Sequence, residues 1–192
     1  MYDYGKEFYP IAGSVCSKLI SLKFLKEIGL KFKPYRIGED YLFSLQLLEY
    51  SHATIVATDL NIYRYIVRGQ SAITGYNKHH ISAVLDSFLS LAVELTALKE
   101  RTIYDGSQIM HLYHMIQRQY CTRLLSTNYS YTELIAWCRK SHEIGLFPID
   151  DPQSRLQSLM NMLMKSPFLL LPLSFFYRLI FIPYIKPYIK RN

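Results

Sequence analysis

Apolar residues recur along most of this chain at steps of three and four, the spacing of one helix face. From Val15 to Ile28, "VCSKLISLKFLKEI" mixes apolar and basic positions and stops at Gly29, a residue common just past a helix end, which predicts a short helix. A second helix is predicted from Glu39 to about Tyr50, where two adjacent carboxylates follow Gly38 and head an apolar run. The pattern then shifts. "TIVAT" and "NIYRYIV" are β-branched and aromatic runs separated by "DLN", a turn composition, so two short strands are expected. After Gly75 the helical period returns: Ile81, Val84, Leu85, Phe88, Leu91, Ala92 and Leu95 form one stripe, and Ile109, Leu112, Tyr113, Ile116 and Tyr120 form another. Ser130 and Glu133 make a capping box ahead of Leu134, Ile135 and Trp137, in a helix closed by Gly145 and Pro148. Asp151 and Pro152 suit the cap and first turn of a helix carrying Leu156, Leu159, Met160 and Leu163. Met160, Met162 and Met164 are expected to fill gaps in the core.

The sharpest change comes at "SPFLLLPLSFFYRLIFIPYIKPYIKRN", almost wholly apolar from Pro167 to Ile185. Arg178 lies inside this run and Pro172 and Pro183 interrupt it, which argues against a clean spanning helix of about 20 residues. Aromatics with Lys186, Lys190 and Arg191 are the residue types that hold an apolar segment in an anionic headgroup layer. The other reading is a helix that closes the protein's own core.

Composition adds three bounds. With 192 residues, 50% of them hydrophobic, the chain can bury a substantial core. A net charge of +7 suits an anionic partner, but the basic residues accompany no recognised nucleic-acid motif, so nucleic acid is not expected. Cys16, Cys121 and Cys138 are widely spaced, which points to neither a disulfide framework nor a zinc site. "MYDYGKEFYP" has no secretory-signal pattern, and a cytoplasmic location at the inner face of the membrane is expected. His111 and His114 share a helix face, without a third ligand in register for a metal.

Acidic residues in a first helical turn are favoured by the helix dipole, so Glu39 and Asp40 alone indicate only a helix start. Their neighbours add to this. Lys18 and Leu19, Phe24 and Leu25, Leu30 and Phe32, the acidic pair, Phe43, and then Tyr63, Tyr65, Arg68 and Ser71 in a Y-X-Y-X-X-R-X-X-S pattern occur in an order that resembles the second half of the catalytic domain of family 2 glycosyltransferases, the bacterial type that builds surface polysaccharides. The resemblance spans about a third of the chain, from Val15 to Thr74; Ile20 stands where the lysine motif has a tyrosine.

The resemblance implies an acceptor-side part of an A-type α/β domain over residues 1–75; with the helical domain that periodicity predicts over 76–166 and the membrane-proximal tail over 167–192, an α+β, mostly helical chain is expected. It implies Asp40 as general base toward an acceptor hydroxyl, with Glu39 orienting the loop or the acceptor. Lys18, Arg64 and Arg68 would offer positive charge to a diphosphate, Tyr63 and Tyr65 would line the acceptor cleft, and Ser71 completes the motif. The implied partners are a nucleotide sugar, a saccharide or lipid-linked acceptor, and the membrane surface. The family's divalent cation, Mg or Mn, is held by an Asp-X-Asp motif in a first half that has no counterpart in this sequence, so the chain is expected to be the C-terminal part of a transferase. A non-catalytic membrane or interaction module is the alternative.

Overall fold

A computed structural model describes residues 15–50, 56, 78–100, 106–150, 152 and 154–185. A 3-10 turn, Val15–Ser17, leads into α1 (Leu22–Ile28) and α2 (Glu39–Leu47); then follow α3 (Lys78–Lys99), α4 (Gly106–Ser126), α5 (Tyr131–Glu143), α6 (Arg155–Lys165), α7 (Pro167–Phe176) and a π-helical continuation, Tyr177–Ile185.

The α+β expectation, with part of an A-type α/β sandwich, is overturned: the described residues are helical and include no strand. Their core is built helix on helix, leaving no sheet for the helices to cover. The expected strands at 54–58 and 61–67 fall, apart from Val56, outside the described residues.

Local chemistry explains the element boundaries. The single helix expected over 15–28 is split, because the Ser21 hydroxyl accepts the Phe24 N–H and starts α1 only at Leu22. Gly29 ends α1 in the left-handed region, at φ 67°, its N–H returning to the Leu25 carbonyl. The capping box of α5 is complete: Ser130 accepts the Glu133 N–H and Glu133 accepts the Ser130 N–H. For α6 the cap is Ser154, accepting from the Gln157 N–H, rather than Asp151. A serine hydroxyl one residue ahead of Arg155 has the right reach, whereas Asp151 lies a full turn further back.

The long apolar stripe of α3 lies at the centre. Ile81, Leu85, Leu95 and Ala92 are almost fully enclosed and join Leu42 and Leu45 of α2, Ile109, Ile116 and Tyr120 of α4, and Leu134 of α5 in one cluster. Although α3 is long and apolar enough to cross a membrane, much of its surface is covered by these helices. Tyr120 donates to the Trp137 carbonyl at 2.8 Å, and Ser82 bonds Tyr129 at 2.9 Å, which ties α4 to α5 and α3 to the loop before α5. Beyond α5, the Asn161 side chain takes both backbone groups of Ile149, accepting its N–H at 2.6 Å and donating to its carbonyl at 2.9 Å.

The C-terminal run divides by face. α7 packs on α4, α5 and α6, burying Leu170 and Ser174, while Phe168, Leu171, Phe175 and Phe176 stay exposed. One stripe therefore closes the core, as the alternative reading of this segment held, and the rest does not. Of the three methionines expected in the core, Met160 and Met164 are buried but Met162 is 48% exposed, because it falls on the outer side of α6.

Candidate functional site

The acidic pair sits in the first turn of α2, and the loop that delivers it is clamped to α3. The Arg36 N–H donates to the Ser87 hydroxyl at 2.9 Å, and that hydroxyl donates in turn to the Ala83 carbonyl. The Tyr35 hydroxyl donates to Glu94 at 3.2 Å, and Lys33 pairs with the same carboxylate at 3.1 Å. Burial first, and then the Glu94 charge, raise the Tyr35 pKa. Phe32 stacks on Phe43 with ring centroids 4.1 Å apart. Gly38 makes the last step. Its φ of 83° lies in the left-handed region, and a Cβ there would come within 2.5 Å of the Leu91 side chain, so backbone and helix meet as closely as only glycine allows.

Asp40 is partly buried; one of its oxygens accepts the Tyr41 N–H at 2.9 Å. That bond fixes the carboxylate against its own helix turn and leaves its other oxygen without a bond to that turn. Glu39, also partly buried, stands beside it. The two follow Gly38 so closely that the α3 contact sets where both emerge.

The 3-10 turn packs on α2 and carries Lys18 to the same place. Burial lowers the Lys18 pKa, and the Asp40 carboxylate, the larger of two opposing charge effects, pulls it back up. Lys18, just past a turn that packs on α2, thus lies within the electrostatic influence of Asp40 across twenty-one residues of sequence that include α1. Leu19 is 91% exposed, so the lysine motif lies at the protein surface. Tyr63, Arg64, Tyr65, Arg68 and Ser71 lie outside the described residues.

Among the described residues no three His, Cys, Asp or Glu side chains gather in a group able to hold a metal. Sequence reasoning missed Ser87, Leu91 and Glu94, the α3 residues that position the site. Their spacing of four and three puts them on one helix face, yet a serine and a glutamate at the margin of an apolar stripe look like ordinary polar positions.

A separate groove of about 210 Å³ opens between α4 and the start of α6, lined by His111, His114, Arg118, Ser154 and Leu156 among others. Burial, and then the neighbouring His111, lower the His114 pKa.

No protein-family model matches this chain, nor does any curated protein or any solved structure.

Proposed function

We propose that this chain carries the acceptor side of a sugar-transferring enzyme of surface-polysaccharide synthesis, with Asp40 as its general base. The observation that carries the reading is the packing of the turn before Lys18 on the helix that Asp40 heads, behind a loop clamped by α3, which puts two motifs of the family 2 glycosyltransferase resemblance on neighbouring elements. Asp40, at a helix start, accepts the proton of an acceptor hydroxyl as that oxygen attacks the anomeric carbon of a nucleotide sugar. The bond from that carbon to the nucleoside diphosphate breaks, and the diphosphate leaves with the electron pair. Glu39 orients the acceptor. Lys18 holds positive charge beside the reacting groups, and Tyr63, Tyr65, Arg68 and Ser71 complete the acceptor side by the same resemblance. The donor sugar and its divalent cation are bound by residues outside this chain.

The test is complementation of a strain lacking the gene, with the surface glycan analysed for composition. The wild-type chain, supplied together with its donor-binding part, restores the glycan. Asp40→Asn, which keeps the shape and removes the base, lowers transfer by about 10²- to 10⁴-fold, the usual contribution of a positioned base. Equal restoration by Asp40→Asn rejects the role.

A second reading, a non-catalytic module that docks on membrane, is favoured by the exposed apolar residues of α7. It expects the Asp40→Asn strain to match wild type.

A further inference from the structure

We propose that α6 and α7 together, not the tail alone, form a platform that lies flat on an anionic lipid leaflet. This deepens the membrane placement in the readings above and does not depend on sugar transfer.

Charge distribution is the first ground. All 15 Asp and Glu precede Pro152, whereas Arg155, Lys165, Arg178, Lys186, Lys190 and Arg191 follow it. Six of the seven net positive charges therefore belong to the last forty-one residues, and the remainder of the chain is almost balanced. A segment without acids, rich in Leu and Phe, is complementary to a surface that is apolar beneath a layer of phosphates.

Exposure is the second. On α6, Leu156, Leu159 and Met162 follow one another at steps of three, all exposed, with exposed Arg155 and Lys165 at the two ends. On α7 and its continuation, Phe168, Leu171, Phe175 and Leu179 recur at steps of three and four, with Phe168 and Phe175 each 61% exposed. Arg178 is not part of this face; its guanidinium turns back to the Ser174 carbonyl at 3.3 Å.

Geometry chooses between lying on the bilayer and entering it. The axes of α6 and the helix from Pro167 to Pro183 bend by 116° at their junction, which excludes one straight crossing. A re-entrant hairpin would carry the bend deepest, and the bend holds Lys165, an exposed charge that hydrocarbon disfavours strongly. Two axes that meet define a plane, so both can lie along a leaflet with Lys165 among the phosphates.

Flotation of the full chain with vesicles separates the possibilities. The chain is expected to float with vesicles of phosphatidylcholine and phosphatidylglycerol, weakly with phosphatidylcholine alone, and less as sodium chloride rises to roughly 0.5 M. Leu159→Asp with Met162→Asp, which leaves residues 167–192 intact, is expected to lower partitioning by at least about tenfold, as is Phe168→Ser with Phe175→Ser. All four positions are exposed, and an unchanged circular dichroism melt confirms that the variants fold. Wild-type binding by the α6 variant would overturn the platform in favour of the tail alone. Failure of the wild type to float would overturn lipid as the occupant, and so would light scattering showing a dimer that the α6 variant dissociates without any change in flotation. Loss of glycan restoration by Asp40→Asn, with flotation unchanged, is the expected sign that the two sites are separate.

Discussion

Gly38 is the residue on which the acidic doublet depends. Its positive φ and its approach to Leu91 are independent demands; a side chain strains the first and crowds the second. Gly38→Ala adds a left-handed alanine and crowds a buried leucine; together these cost about 2–4 kcal/mol, measurable as a lower urea midpoint. Gly29, with a similar φ of 67°, has open space around its Cα, so Gly29→Ala meets only the backbone demand and the smaller loss. Asp40 is read differently at this scale. Its bond to the Tyr41 N–H is what any first-turn carboxylate can make, and only Lys18, arriving from the preceding turn, distinguishes it. The buried thiols of Cys121 and Cys138 contribute packing rather than chemistry: burial pushes Cys138 up to about 12 and Cys121 higher still, so neither is a thiolate near neutral pH.

At the scale of elements, helix starts were legible and helix partners were not. Ser130 with Glu133 marks the start of α5 in the sequence because the capping box needs only residues three apart. The start of α6 was misplaced: Asp151-Pro152 and Ser154 are both sound caps, and local pattern does not rank them. The join between them is tertiary. Asn161 of α6 satisfies both backbone groups of Ile149, a residue it meets only because the chain folds back. Asn161→Leu leaves that donor and acceptor partly buried without their partner and is expected to destabilise by about 2 kcal/mol in a chemical melt, more than Asn161→Asp, which keeps the acceptor. α7 shows the same division. Its unbroken hydrophobicity hid the fact that only the Leu170–Ser174 stripe packs inward, since periodicity carries no information where nearly every position is apolar.

For the whole molecule, the groove between α4 and α6 couples stability to pH through His114. Its pKa is lowered in the folded state, so its contribution is complete above the ordinary imidazole value of 6.5, where the ring is neutral whether folded or not. As pH falls below 6.5 the unfolded chain takes up the proton first, and that contribution is lost as pH falls through the lowered folded value. Wild type should therefore lose Tm between pH 6.5 and 5 more steeply than His114→Asn; parallel curves would show that the ring does not sense the fold. The sequence by itself determined the helices, through apolar stripes and caps that need only neighbours within a turn or two, and it marked Lys18, Glu39 and Asp40 as candidates. Through the family resemblance it also led to an α+β expectation with part of an A-type α/β domain that the described helices overturn, because a few short motifs in order do not fix the architecture around them. Only the tertiary structure decided that Ser87, Leu91 and Glu94 hold the acidic loop, that the turn before Lys18 packs on the helix headed by Asp40, and that α6 and α7 keep an apolar side uncovered. Each of these rests on contacts between distant segments, and such contacts are set by how helices pack, a property that no local pattern contains.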